Sequence, residues 1–180
     1  METMFVGEPM ISERSQPRNT RHRARHSNWN SLPTTDIAGA LRNVRADAFT
    51  LYTKTNSHHW HMCGPDFREY DVLLEDQAKQ LFSTTETITE RMRDIGGIDI
   101  RPIEQSGLPC TPSNGNADFV DPEDALAELR VDNQILTGSL RSAQELCERC
   151  GDIVTASLID VWIDEARRRA WILFEVMRRD

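Results

Sequence analysis

The chain has 180 residues, of which 38% are hydrophobic and 28% charged, and its formal net charge is −8. These values suit a single globular domain with an ordinary core, and no run approaches the roughly 20 apolar residues that cross a bilayer. The N-terminus METMFVGEPMISERSQ lacks the apolar stretch of a signal peptide, so we expect a cytoplasmic protein without a membrane partner. Its four cysteines are too few for a disulfide scaffold, and we expect reduced thiols.

Residues 1–33 are predicted to form a basic N-terminal tail. This segment holds five arginines and three glutamates of the 21 basic and 29 acidic residues in the chain. The rest of the chain therefore has 16 basic and 26 acidic residues. The stretch SERSQPRNTRHRARHSNWNSLP has almost no aliphatic residues and no periodicity, so it cannot bury enough apolar surface to offset its ordering entropy. We expect a disordered or extended tail on an acidic body that by itself repels a phosphate backbone.

Helical periodicity begins at residue 34, and residues 34–180 are predicted to form one domain. In the first helix, Thr34, Thr35 or Asp36 is expected to cap the start, and Gly64-Pro65 is expected to stop it. Its apolar residues recur at steps of three and four: Ile37, Leu41, Val44, Ala48 and Leu51.

A second helix is predicted from about Asp66 to Ile95, with Gly96 or Gly97 as a left-handed C-terminal cap. Its predicted apolar face consists of Phe67, Tyr70, Leu74, Leu81, Ile88, Met92 and Ile95. Residues 98–120 are rich in proline, glycine and asparagine, which is typical of a long crossover loop, with a short helix around residues 103–106.

The third helix is predicted to start with Asp121 as its cap and Pro122 at its first position. Gly151 and Asp152 are expected to form the turn into a fourth helix, and no alternating strand pattern occurs. The fold class is therefore all-α: a four-helix bundle with one long crossover loop, the ferritin-like connectivity.

The second helix carries four carboxylates on one stripe. At about 100° per residue, Asp71 and Glu75 are offset by roughly 40° around the helix axis, and so are Glu86 and Glu90. Glu75 and Glu86 are offset by roughly 20°. At about 1.5 Å per residue, however, Glu75 and Glu86 lie roughly 16 Å apart along the axis, too far for one metal ion.

Two antiparallel copies of this helix would place Asp71 and Glu75 of one chain opposite Glu86 and Glu90 of the other. That arrangement gives two equivalent sites per dimer, and His59 at the end of the first helix could add a nitrogen ligand to each. The pattern alone favours a simpler interpretation, a solvated face on which Glu75 pairs with Lys79, because such acid–base pairs are common on helices.

Residues 59–97, HWHMCGPDFREYDVLLEDQAKQLFSTTETITERMRDIGG, resemble the signature of the Dps family, the DNA-protecting mini-ferritins. The His-Trp pair, the Gly-Pro-x-Phe turn, the acidic spacing and the closing Glu-Arg-x-x-x-Ile-Gly-Gly match without a gap. The fourth helix is also similar, so the resemblance covers roughly residues 35–177.

This resemblance implies a hollow homo-dodecamer with ferroxidase centres at two-fold interfaces, where Fe(II) is oxidised, preferably by hydrogen peroxide, and stored as Fe(III). It also implies that His59, Glu75, Glu86 and Glu90 are iron ligands and catalytic residues. Asp71 stands where the family has a histidine, and we include it as a ligand because hard oxygen donors suit both iron states. His58 or His61 are further candidates to replace that histidine.

Two other functions remain open. In the first, the protein is a non-enzymatic cage of the same fold that binds DNA or sequesters metal, because Asp71 has reduced the ferroxidase centre. In the second, it is a bacterioferritin or a monomeric di-iron enzyme. The absence of any Glu-x-x-His in the sequence counts strongly against the second.

The tail arginines are candidates for non-specific DNA binding, which would make the protein nucleoid-associated; the alternative is a tail that folds against its own acidic body. The five arginines are Arg14, Arg18, Arg21, Arg23 and Arg25. Asp152 is a candidate lining residue of an iron-entry pore at a three-fold axis, which the resemblance places near the start of the fourth helix. Cys147 and Cys150 form a lone C-x-x-C, half of a zinc site at most, and we expect incidental thiols.

Overall fold

The computed structural model describes residues 32–64, 66–97 and 121–178, and all regular structure within them is helical. The four helices are α1 (Leu32–His61), α2 (Phe67–Asp94), α3 (Pro122–Cys150) and α4 (Ile153–Met177). The all-α prediction is confirmed. Most of the predicted tail, the predicted crossover loop and its short helix lie outside the described residues.

The helices pair as two hairpins, α1 with α2 and α3 with α4, and α1 also packs along α3. The Lys54–Asp132 and His58–Glu128 pairs link the second half of α1 to the first half of α3, and the Arg91–Asp152 pair joins the end of α2 to the beginning of α4. Helices joined in this way run antiparallel, and the long α2–α3 connection makes the bundle one with a single crossover. None of the helices in the described part of the chain could span a membrane.

The predicted apolar faces form the core. All five predicted positions of α1 are buried, and α2 buries the predicted residues from Tyr70 to Ile95. Phe67 was wrongly placed on that face: it is the first residue of α2 and remains 43% exposed, so the buried face begins one turn later, at Tyr70.

The helix ends follow local turn chemistry with one correction. Asp121 caps α3 by accepting a hydrogen bond from the Glu123 amide, and Pro122 follows it, as predicted. The predicted cap of α1 at Thr34, Thr35 or Asp36 is wrong, because α1 already begins at Leu32 and these three residues lie inside the helix.

The predicted left-handed end of α2 is at Gly96, where φ is 80°. The Gly97 amide bonds to the Met92 carbonyl at 2.8 Å and the Gly96 amide bonds to the Arg93 carbonyl at 2.9 Å, which closes the helix. A Cβ on Gly97 would lie 2.7 Å from the Met92 oxygen and 3.3 Å from the Ala38 Cβ. The Ile-Gly-Gly segment therefore lets α2 end in close contact with α1.

A cluster of charged side chains ties α1 to α3 inside the bundle. Lys54 Nζ lies 2.6 Å from Asp132 Oδ2 and 2.8 Å from Glu128 Oε1, and the side chain of Asp132 is only 3% exposed. Burial lowers the pKa of Lys54, but its hydrogen bonds to Asp132 and Glu128 outweigh burial and raise that pKa above its ordinary value. The ammonium therefore remains charged and neutralises the buried carboxylate.

Candidate metal centre

The four predicted carboxylate ligands lie on the side of α2 that faces away from the core of its own bundle. Leu74, Leu81 and Ile88 are fully buried, whereas Glu75, Glu86 and Glu90 are exposed and Asp71 is half-buried. One helix therefore presents an apolar face to its own subunit and an acidic stripe outward.

His59 and Asp71 are the two predicted ligands that the structure brings together. His59 lies in the last turn of α1 and Asp71 in the first turns of α2, which packs against α1. The distance from His59 Nε2 to Asp71 Oδ1 is 2.7 Å. An imidazole nitrogen and a carboxylate in contact form the beginning of a transition-metal site.

Glu75 contacts Lys79, with 2.8 Å between Glu75 Oε1 and Lys79 Nζ. The hydrogen bond and charge of Lys79 lower the pKa of Glu75, and the charge of His59 adds to that effect. The same contact raises the pKa of Lys79. Glu75 is thus an ionised carboxylate near His59, held by a cation of its own helix.

Glu86 and Glu90 make no hydrogen bond or ion pair with any described residue. They lie roughly 16 Å or more along α2 from Glu75, as the helical rise requires. Within residues 32–64, 66–97 and 121–178, no three histidine, cysteine or acidic side chains come together as a metal site. The described part of one subunit thus brings together only two of the five predicted ligands.

Phe82 is a feature of the stripe that the sequence reasoning missed. It lies between Glu75 and Glu86, about 20° from the direction of Glu75, and it is 42% exposed. Its ring packs on Tyr52 of α1, with the ring centroids 5.4 Å apart. Aromatic residues are enriched at protein contact surfaces, and helical spacing alone would have placed Phe82 on the stripe.

His58 and His61, which we considered as replacements for the missing family histidine, have other contacts. His58 Nε2 lies 3.1 Å from Glu128 of α3, and burial lowers the pKa of His58 more than the Glu128 charge raises it. His61 Nδ1 lies 2.7 Å from the Ser57 carbonyl oxygen. Both rings therefore have partners other than the His59–Asp71 pair.

Asp152, the predicted pore residue, caps α4 and joins it to α2. Its carboxylate accepts a hydrogen bond from the Thr155 amide at 3.0 Å and lies 3.1 Å from Arg91 Nη2. Burial raises its pKa, but the bonds from Thr155 and Arg91 outweigh this and hold the pKa below its ordinary value. These contacts give Asp152 a role in the fold; its pore role stays a prediction.

The described cysteines are free thiols in different environments, which predicts different reactivity. Cys63 is exposed, whereas Cys147 is buried, and burial raises the pKa of Cys147 to about 11. Because the thiolate is the nucleophile, we expect iodoacetamide at neutral pH to label Cys63 at least about tenfold faster than Cys147. Peptide mass spectrometry of timed samples measures both rates, and rapid labelling of Cys147 in the folded protein would contradict the buried position.

The single crossover, the four antiparallel helices and the carboxylates on α2 define the class of ferritin-like four-helix proteins. A family model described as the ferritin-like domain matches residues 38–179. The chain therefore belongs to the ferritin-like family and, within it, to the Dps proteins.

Known relatives cover most of the chain. It is 29% identical to an uncharacterized low temperature-induced protein of Nostoc sp., over 76% of this chain and 77% of that protein. It is 24% identical to the DNA protection during starvation protein of Brevibacillus brevis, over 76% and 91%. The chain also superposes on a crystal structure of the Dps protein of Vibrio cholerae with a TM-score of 0.74. The two chains are 21% identical, and the superposition covers 81% of this chain and 91% of that one. The Vibrio cholerae protein is described as a member of the ferritin-like diiron-carboxylate proteins.

Proposed function

We propose that this protein is a mini-ferritin that binds Fe(II) between two subunits, oxidises it, preferably with hydrogen peroxide, and stores Fe(III) in a hollow dodecamer. The observation that carries the proposal is the outward stripe of α2 beside the His59–Asp71 contact of 2.7 Å. Membership in the ferritin-like family and the diiron-carboxylate description of the Vibrio cholerae protein support iron as the substrate. This reaction would protect DNA from oxidative damage, because it removes both Fe(II) and hydrogen peroxide.

In the proposed centre, His59, Asp71 and Glu75 of one subunit face Glu86 and Glu90 of another. The four carboxylates favour Fe(III) over Fe(II), because the harder ion gains more from oxygen ligands. Two Fe(II) ions give one electron each to the O–O bond of peroxide, which leaves two hydroxides and no hydroxyl radical. The protein supplies the ligands that hold both ions near one peroxide molecule.

The dimer is supported by what the stripe exposes. Glu86 and Glu90 have no partner among the described residues, and Phe82 offers apolar surface between the two carboxylate pairs. A two-fold axis across α2 would place Asp71 and Glu75 of each subunit opposite Glu86 and Glu90 of the other. Closure into a dodecamer is part of the proposal and is checked by sedimentation of the purified protein.

The decisive experiment is anaerobic loading with Fe(II), followed by hydrogen peroxide, with the absorbance of the ferric product recorded against time. Oxidation well above the rate in protein-free buffer supports the ferroxidase. Oxidation no faster than in buffer would overturn it and favour the non-enzymatic cage, in which Asp71 in place of a histidine has reduced the centre.

DNA binding is proposed through the tail, with Arg14, Arg18, Arg21, Arg23 and Arg25 as phosphate contacts. Five contacts predict that the logarithm of the binding constant falls with the logarithm of salt at a slope of about −4.5 for one tail. Deletion of residues 1–31 is expected to abolish retention of duplex DNA in gel-shift assays at physiological salt. Undiminished binding by the deleted protein would place the DNA contacts elsewhere.

A further inference from the structure

Lys79 lies on the same stripe of α2 as the proposed ligands. At about 100° per residue, its direction is roughly 40° from that of Glu75 and roughly 20° from that of Glu86. Its ammonium contacts Glu75 at 2.8 Å, with the side chains of Lys79 and Glu75 66% and 52% exposed. Among the four carboxylates of the stripe, Glu75 is the one that contacts a lysine or arginine within the described residues.

The spacing of the stripe also places Lys79 near the middle of the proposed dimer. The midpoint between residues 71 and 90 along α2 lies between residues 80 and 81. The midpoint between residues 75 and 86 is the same point. An antiparallel copy that completes the centres therefore crosses α2 at that point. Lys79 lies about 2 Å along the axis from the crossing, so both copies of Lys79 lie between the two centres.

We propose that Lys79 is the resident counter-ion of the metal centre: its ammonium neutralises Glu75 when no metal is bound, and its positive charge beside Oε1 opposes the binding of Fe(II) by Glu75. The inference deepens the proposed function and rests on the interfacial centre. Each centre has four carboxylates and one imidazole, and Asp71 adds a negative charge where the family has a histidine. Lys79 offsets that additional charge in the metal-free state.

The contact between Lys79 and Glu75 competes with metal binding. The ammonium at 2.8 Å from Oε1 reduces the negative charge that Glu75 offers to a divalent ion and repels that ion, so metal binding includes the work of weakening this pair. Exposed pairs of this kind shift an equilibrium by up to about fivefold.

The test is anaerobic calorimetric titration of the full-length protein with Co(II), which binds like Fe(II) but does not react. Lys79→Gln and Lys79→Ser are expected to bind Co(II) about two- to fivefold more tightly than the natural protein, because Glu75 is free. Lys79→Arg keeps the charge and is expected to match the natural affinity. Arg149→Gln is the matched control, since it removes the cation of an exposed i,i+4 pair with Glu145 on α3.

The outcomes separate the two proposals. If Co(II) binds the natural protein and Glu86→Ala/Glu90→Ala equally, or binds neither, the interfacial centre fails and the role of Lys79 fails with it. If binding depends on Glu86 and Glu90 but the Gln and Ser variants bind no more tightly than the natural protein, the centre stands and the counter-ion role is overturned. If Arg149→Gln also binds Co(II) more tightly, the gain in affinity comes from the change in net charge. That result would also overturn the counter-ion role of Lys79.

Discussion

Replacement of Glu86 and Glu90 together by alanine is expected to reduce peroxide-dependent Fe(II) oxidation to the rate of protein-free buffer. Both side chains lie on the exposed face of α2 and hold no structural contact among the described residues, so the bundle should fold normally. Loss of groups that merely orient metal ligands costs about 10–100-fold, so loss of two direct ligands per centre should cost at least about 100-fold. Stopped-flow absorbance after anaerobic Fe(II) loading measures the rate.

A control for this experiment is Glu148→Ala/Asp164→Ala, which removes two exposed carboxylates of α3 and α4 and leaves the net charge equal to that of the test variant. It is expected to oxidise Fe(II) at the natural rate. Equal rates in the two double variants would refute the interfacial centre and leave any activity to another site.

The largest expected effect on stability is that of Lys54→Met. The substitution leaves Asp132, whose side chain is 3% exposed, without its ammonium partner. Removal of one member of a buried ion pair typically costs about 3–5 kcal/mol, because the remaining charge is left desolvated. We expect a loss of this size in urea unfolding at neutral pH and fixed protein concentration.

The pH dependence of this effect has a definite sign. The folded-state pKa of Lys54 is raised, so the pair stabilises the fold fully below the ordinary lysine pKa and loses its contribution as pH rises through the folded value. The difference in stability between the natural protein and Lys54→Met should therefore shrink at strongly alkaline pH. Because Lys54 also lowers the pKa of Glu128, the difference should shrink again at acidic pH, as the carboxylates are protonated.

Two further variants test the cause. Lys54→Met/Asp132→Leu removes both charges and is expected to recover most of the lost stability. Lys79→Met removes a lysine from an exposed i,i+4 pair and is expected to leave the urea midpoint nearly unchanged. A loss below about 1 kcal/mol for Lys54→Met would mean that water or another residue compensates Asp132.

Local periodicity was enough to predict most of the bundle. The buried positions of α1 and α2 follow from apolar residues at steps of three and four, and the acidic stripe follows from the same helical period. Asp121-Pro122 and Gly96 marked helix ends because a capping side chain and a left-handed φ are local requirements. The cap of α1 was misplaced because several capping residues follow Pro33, which itself fits the first turn of a helix.

The contacts of individual polar residues were decided by the tertiary structure. The sequence marked His58 and His61 as possible ligands, but packing of α1 on α3 gives His58 the carboxylate of Glu128, 70 residues away. Packing of α2 on α4 likewise gives Asp152 the guanidinium of Arg91, 61 residues away. Such partners depend on which helix faces meet.

The sequence by itself determined the helices, their apolar faces and the stripe of carboxylates, because each depends on residues within a few turns of one helix. The tertiary structure alone decided that Lys54 neutralises Asp132 and that Arg169 is buried against Asn133, at 2.9 Å from Nε to Oδ1. Burial lowers the pKa of Arg169 to about 10, so this interior charge persists at neutral pH. A cation in the core is invisible to hydrophobic patterning, because its burial depends on long-range partners and not on its neighbours in sequence.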